Sequence, residues 1–434
     1  MTMKCKKFTI IIAAALFAAA ASGCSGQAGK NAGPERPVSE RESGLAGTGS
    51  DASAIAPIPG AAAPPSSGGA AASGKVASPA PSTPQNWSDM RIDHSMELLY
   101  ADQFSVDYYD NGFAMITIAD DNRYLVVPEG EAVPGGLPDG VTVIRRPLNN
   151  IYLVATSAMD LFCSLDAVDQ ITLSGTDASG WYIREARQAI ESGAMSYAGK
   201  YNAPDYELIL SKSCDLAVES TMIYHSPEVK EQLETLGIPV LVERSSYESH
   251  PLGRMEWLKL YAVLLGREEM AGELFDRQMS ALNAVMGQEP TGKTVAFFYV
   301  SSNGYVNVRK PGDYVAKMIE LAGGTYAPQN SAEPENALST MNMQMEAFYA
   351  AARDADYIIY NSTIDGELKS LDALLARSSL LADFKAVKEG HVWCTEKNLF
   401  QESMGLGTMI LDIHRMLTEE DPDPSEMTYI YPLR

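Results

Sequence analysis

Cysteine is scarce, five residues in a chain of 434, too few and too widely spaced for a disulfide scaffold. Positive charge is scarce as well: 33 Lys and Arg face 56 Asp and Glu, a formal net charge of −23. That balance argues against nucleic acid as a partner and against attraction to anionic headgroups, both of which need clustered bases. Histidine is confined to His94, His225, His250, His391 and His414, far apart, and no H-E-x-x-H, C-x-x-C or G-x-S-x-G occurs. The zinc-hydrolase, dithiol and nucleophile-elbow constellations are therefore missing, and neither a catalytic set nor a metal set is expected. Cys163, Cys214 and Cys394 lie in apolar surroundings that suit small buried hydrophobes better than ligands or nucleophiles.

What is present begins with an address. Residues 1–23 run from Lys4, Lys6 and Lys7 through an apolar stretch, Phe8 to Ala21, to small residues before Cys24. The stretch is shorter than the ~20 residues that span a bilayer, so it reads as an export signal. Ala21-Ser22-Gly23-Cys24 resembles the lipobox of bacterial lipoproteins, departing at Ala21 where Leu is usual; an ordinary secretory signal is the alternative. Acylation of Cys24 would hold the protein through a lipid anchor on the outer face of the bacterial cytoplasmic membrane. Residues 24–86 are almost entirely Ala, Gly, Ser and Pro, without aromatic residues, and four bases balance four acids between Ser25 and Asn86. Such a stretch cannot bury enough surface to order itself and reads as a tether reaching roughly 45 Å.

From Trp87 onward, short runs rich in Val, Ile and Tyr alternate with helical patterns. FAMITI (113–118) and RYLVV (123–127), around Asp120-Asp121-Asn122, predict an opening meander. NIYLVA, ITLSG, DLAVE and IPVLVE then alternate with helical stretches over the N-terminal lobe, residues 87–250. A helical tract fills 251–290, interrupted at Gly266. Alternation resumes over 291–434 with TVAFFYV, DYVAKMIELAGG, DYIIY and HVWC. Strand and helix in alternation predict α/β lobes, two of them joined by one long helix; a single large α/β domain is the alternative.

One motif misleads. Gly287 to Thr294 reads G-x-x-x-x-G-K-T, but a phosphate loop needs a strand before it and a helix after it. Here the order is reversed, and the segment reads as a helix end followed by a turn. A different signal is repeated. Glu207 precedes a helical run and then Asp215 opens a strand; Glu346 precedes a helical run and then Asp356 opens a strand. Helix capping accounts for both glutamates, and so does a shared surface role.

The block ERSSYESHPLGRMEWLKLYAVLLGREEMAGELF (243–275), together with YELILSKSCDL, KPGDYVAKMIELAGG and MEAFYAAARDADYIIYN, resembles the substrate-binding proteins of ABC importers for iron-siderophores, haem and cobalamin. The likeness covers about residues 90–420 and departs at Cys214, where Pro is usual, and in a longer meander. It implies two Rossmann-like lobes bridged by a single long α-helix, a ligand cleft between them, modest closure and a monomer. It also implies that Glu207 and Glu346 dock against arginines of a permease dimer that works with an ATPase.

Ligand contacts are then expected on loops at the C-terminal ends of strands: Ser157, Trp181, Tyr224, Tyr247, His250, Arg254, Tyr305, Arg309, Asn361 and Phe400. Tyr and Trp can stack on flat chelates, and Arg254 and Arg309 can neutralise an anionic one. Trp181 and Phe400 also suit a core, and Arg254 can pair with Glu248 or Glu256. The bound ligand is expected to be a metal chelate, a ferric siderophore first, cobalamin or haem next, with no covalent cofactor. An exported enzyme on the same fold and a surface adhesin are the competing classes.

Overall fold

A computed structural model describes residues 86–119, 121–329 and 340–434. The export signal, Cys24, the tether up to residue 85 and Asp120 lie outside them. The first sheet is built from β1 (Ile92–Ser95), β2 (Phe104–Tyr109), β3 (Ala114–Ile118) and β4 (Arg123–Val127), an antiparallel meander closed by β5 (Val141–Arg145) parallel to β4. The alternation that predicts these strands sends Ile116, Ile118, Tyr124 and Val126 into the main core, while Met115, Leu125 and Val127 pack on the other face, as a period of two requires.

The second sheet is wholly parallel, in the order β12-β11-β6-β7-β8. Its strands are β6 (Ile151–Leu153), β7 (Ile171–Ser174), β8 (Ser196–Tyr197), β11 (Leu216–Ser220) and β12 (Val240–Glu243); a small ribbon, β9 (Gly199–Lys200) with β10 (Ala203–Pro204), follows β8. Gly199 is required there: at φ +87°, a Cβ would sit 2.2 Å from the carbonyl of Ala203. Helices α1 (Met159–Ser164) and α2 (Arg184–Glu191) bury against one face, α3 (Tyr206–Ser211) and α4 (Pro227–Thr235) against the other. The order reverses between β6 and β11, so loops diverge at their C-terminal ends and leave a crevice.

The helical tract is two helices. His250 caps α5 (Pro251–Leu265), with Pro251 in its first turn, and Gly266 ends it in the left-handed conformation, φ 68°. Then α6 (Glu268–Met286) runs to Gly287. Twelve of the fifteen residues of α5 are buried, which places it in the interior. It packs on α1 of the first lobe and on α7 (Tyr314–Leu321) and α12 (Leu406–Thr418) of the second. On α6 the buried residues are Ala271, Phe275, Leu282 and Val285, a single stripe.

The third sheet has parallel β13 (Thr294–Val300), β15 (Thr325–Ala327), β17 (Tyr357–Tyr360) and β18 (Val392–Thr395). Antiparallel β14 (Val306–Arg309), β16 (Thr340–Met343) and β19 (Ile430–Pro432) complete it. Helices α7 and α12 cover one face; α8 (Met345–Ala352), α10 (Leu371–Leu375) and α11 (Lys385–Glu389) cover the other, and α9 (Ser362–Asp365) follows β17. The P-loop-like residues form the end of α6, a turn with Gly292 at φ 70° and the start of β13. One hydrophobic cluster runs from β6 and α1 through α5 into α7, α12 and β13, so the lobes share a core, and a close-packed core resists large hinge motion.

Candidate functional site

The segment that leaves β18 in the second lobe docks on loops that leave β6 and β7 in the first. Gln401 clamps the β7 loop twice: Tyr182 N–H donates to its Oε1 at 2.8 Å, and its Nε2 donates to Gly180 O at 2.8 Å. Ser403 Oγ donates to Ser157 O at 2.7 Å, and Met404 N–H donates to Asp160 Oδ2 at 2.7 Å. Burial pushes the Asp160 carboxyl up to about 7, against the opposing pull of the Met404 bond. The C-terminal strand ends of the two lobes therefore meet along one seam.

A charged floor lies beside this seam. Arg254, on α5, donates through Nη2 to Ser246 O at 2.6 Å and through Nε to Glu248 O at 3.2 Å, and its guanidinium lies 3.5 Å from the centre of the Tyr314 ring. Arg309 approaches the same ring at 5.6 Å and Phe400 at 5.1 Å, with Nη1 3.5 Å from Asp313 Oδ2. Glu243, 2% exposed, accepts from Ser245 N–H at 2.7 Å and from Ser157 Oγ at 3.2 Å. Burial raises its pKa above the usual carboxylate range, although Ser245, Ser157 and the charge of Arg254 act the other way.

The loops at the C-terminal strand ends of both lobes also carry an accessible rim. Tyr182 follows β7, Met222 and Tyr224 follow β11, and Tyr247 follows β12; from the second lobe, Tyr305 tips the β13–β14 hairpin and Ile364 follows β17. All six are exposed large hydrophobic residues. Lys397 lies 5.8 Å from the Tyr182 ring, another pairing across the seam, and Arg244 4.4 Å from the Tyr247 ring. A cavity of ≈ 370 Å³ opens at the ends of β6, β7 and β11, lined by Val154, Gly175, Asp177, Lys200, Tyr201 and Ser220 among others. A larger one, ≈ 510 Å³, lies beside β1 and α6, away from the strand ends.

Of the residues expected to touch ligand, Tyr224, Tyr247 and Tyr305 are exposed, while Ser157, Arg254, Arg309 and Phe400 are half-buried around the floor. Three belong elsewhere. Trp181 is fully buried, its indole N–H shared between Ser174 Oγ and Thr176 O, both at 3.1 Å; the next residue, Tyr182, reaches the rim instead. Asn361 is buried and caps α9, accepting from Thr363 N–H at 3.1 Å. His250 caps α5 by accepting from Leu252 N–H at 3.2 Å and stacks on Tyr100. Arg254 pairs with neither Glu248 nor Glu256 through its carboxylate, since both are engaged with backbone N–H groups of residues 99–103. Tyr182, Gln401 and Asp160 were not legible: their pairing spans the lobes.

Among the described residues, no group of three or more His, Cys, Asp and Glu is placed to hold a metal, and no helix is long and apolar enough to cross a membrane. Burial pushes the Cys163 thiol up to about 12 and that of Cys214 up to about 11, and raises Cys394 as well, which keeps these thiols protonated and unreactive.

Glu207 and Glu346 are exposed in the first turns of α3 and α8, with no hydrogen bond or ion pair among the described residues. The cap of α3 is Asp205, which accepts from Leu208 N–H at 3.0 Å. Each helix leads into a parallel strand of its own sheet, β11 or β17. The two glutamates thus occupy matching places in the two lobes, and among the described residues no side chain pairs with either carboxylate.

A family model described as "Periplasmic binding protein" matches residues 154–399. An uncharacterized lipoprotein of Methanocaldococcus jannaschii is 24% identical over 354 residues, 74% of this chain and 82% of its own length. Two solved structures share the fold. The periplasmic haem-binding protein HutB of Vibrio cholerae aligns with a TM-score of 0.50 and 19% identity over 61% of this chain and 98% of its own. A periplasmic haem-binding protein of Pseudomonas aeruginosa aligns with a TM-score of 0.50 and 16% identity over 66% and 99%.

Proposed function

The chain belongs to the periplasmic binding protein family, and on that premise we propose that it captures a metal-chelate nutrient outside the cytoplasm and delivers it to an ABC-transporter permease. It is a solute-binding protein, not an enzyme. The observation that carries the reading is the rim of exposed aromatic and apolar side chains where strand ends of both lobes meet. Exposed rings grouped at a topological switch point are where α/β folds hold ligands. A ferric siderophore, cobalamin or haem fits such a surface by stacking and apolar contact.

Delivery rests on Glu207 and Glu346. Their matched carboxylates, unpaired among the described residues, suit arginine sockets on two permease subunits. Acylated Cys24 and the Ala/Gly/Ser/Pro tether would keep the lobes near that permease, a reading supported by the lipoprotein relative. The test is the double variant Glu207→Ala/Glu346→Ala in cells dependent on this importer. Uptake should be lost while ligand affinity of the purified protein is unchanged; lost affinity, or retained uptake, refutes the docking role.

A further inference from the structure

We propose that the chelate is bulky, largely apolar and of low net charge, rather than a polyanionic complex or a small oxyanion; this rests on the binding role proposed above. The sequence points the other way, because Arg254 and Arg309 flank the expected cleft. Part of their donor capacity is already engaged. Arg254 gives Nη2 and Nε to the carbonyls of Ser246 and Glu248 and covers the face of Tyr314. Arg309 faces Asp313, and the charges of Asp313 and Glu243 also act on Arg254. An anion entering here would meet guanidinium groups whose charge is already shared with carbonyls, a ring and nearby carboxyl groups, so less of its desolvation cost would be recovered.

The accessible surface has a different chemistry. Tyr182, Tyr224, Tyr247 and Tyr305 expose their rings, with Met222 and Ile364 among them. Of the cations at these strand ends, Lys397 and Arg244 each sit beside a separate ring, and Lys200 lines the cavity together with Asp177, whose carboxyl it helps to hold ionised. Small oxyanions are held by converging buried donors, whereas dispersed rings offer area to a broad ligand. A ferric trihydroxamate, in which the hydroxamate charges cancel that of the iron, meets these terms, and so does a corrinoid. A ferric tricatecholate, with its multiple negative charge, does not.

Equilibrium dialysis of the whole chain in detergent tests this, reading bound metal for ferrichrome, cyanocobalamin, haemin, ferric enterobactin and molybdate. At least one of the first three should bind ten times more tightly than either of the last two. Raising the salt from about 0.05 M to about 0.5 M should change that affinity less than about twofold, because screening acts on charge. Tyr224→Ala and Tyr305→Ala, both at exposed positions, should weaken it about three- to tenfold each. Tighter binding of ferric enterobactin or molybdate, a steep salt dependence, or indifference to both tyrosine variants overturns the inference and leaves the transport reading standing. Retention of none of the five overturns both.

Discussion

Asp215 and Asp356 hold the same place in the two lobes. Each precedes a parallel strand, β11 or β17, and each carboxylate reaches across to the start of the neighbouring first strand. Asp215 Oδ2 accepts from Asn149 N–H at 2.8 Å and Asn150 N–H at 2.9 Å; Asp356 Oδ2 accepts from Thr294 N–H at 2.8 Å and Thr294 Oγ1 at 2.9 Å. The paired helix-then-Asp segments in the sequence are thus explained on their Asp side by strand registration.

Asp356 also receives Lys385 Nζ at 2.7 Å, and although burial acts to raise its pKa, Lys385 and Thr294 bring it below the usual value. A depressed carboxyl contributes stability above its unfolded pKa and loses it as pH falls through the folded one. Asp356→Ala should therefore lower stability at neutral pH by about 1–3 kcal/mol. The gap between variant and parent should narrow below about pH 4, measured by urea denaturation; a gap independent of pH would contradict this account.

Glu219 should give the opposite pH signature. It is fully buried on β11, neither oxygen has a partner among the described residues, and burial pushes its pKa up to about 8. Between the unfolded value of about 4.3 and that raised value, the folded protein holds a proton the unfolded chain releases. Stability contributed by this group therefore falls as pH rises, by up to about 1.4 kcal/mol per pH unit. Glu219→Gln should flatten the melting temperature between about pH 5 and 8 and melt above the parent at the alkaline end. Parallel melting curves for variant and parent would show that the carboxyl is solvated.

Trp181 and Tyr182 divide two roles between neighbours. Trp181→Ala should cost about 3–5 kcal/mol of stability, since the indole fills the core and bonds Ser174 and Thr176. Tyr182→Ala should leave the denaturation midpoint unchanged and weaken ligand binding. The same midpoint loss at both positions would remove Tyr182 from the rim.

This pair also shows where sequence reading stops. The longer parallel strands of the second and third sheets are legible, because TVAFFYV, DYIIY and IPVLVE read as buried strands between turn signals. The edge strand β16 and its neighbour β14, four residues each with alternate side chains only half-buried, carry too short an alternation to stand out. Which of two adjacent aromatics turns inward depends on a hydroxyl seven residues earlier. Arg254 was legible as a residue but not in its engagement, because Tyr314 reaches it only through the packing of α7 on α5. The block 243–275 was conspicuous for a reason that chain order hides: its acids serve a segment some 155 residues upstream.

That service should be measurable. Glu256, fully buried on α5, accepts from the N–H groups of Leu99, Tyr100 and Ala101 at 2.9, 2.8 and 2.9 Å and from Lys259 Nζ at 2.7 Å. Glu248 accepts from Asp102 and Gln103 N–H and from Trp257 Nε1. The connection from β1 to β2 is therefore held by carboxylates, not by strand pairing. Glu256→Ala strands three amides and an ammonium, a loss of about 3–5 kcal/mol when one partner of a buried pair is removed. Glu256→Gln restores one acceptor but turns an amide N–H₂ toward donors, so it should rescue only in part. Hydrogen exchange resolves the outcome: the amides of residues 99–101 should lose protection by orders of magnitude in both variants, while those of β11 and β17 change little. Equal loss across all strands would mean that the meander and the lobes unfold as one unit, and unchanged protection at 99–101 would mean that Glu256 does not hold the segment.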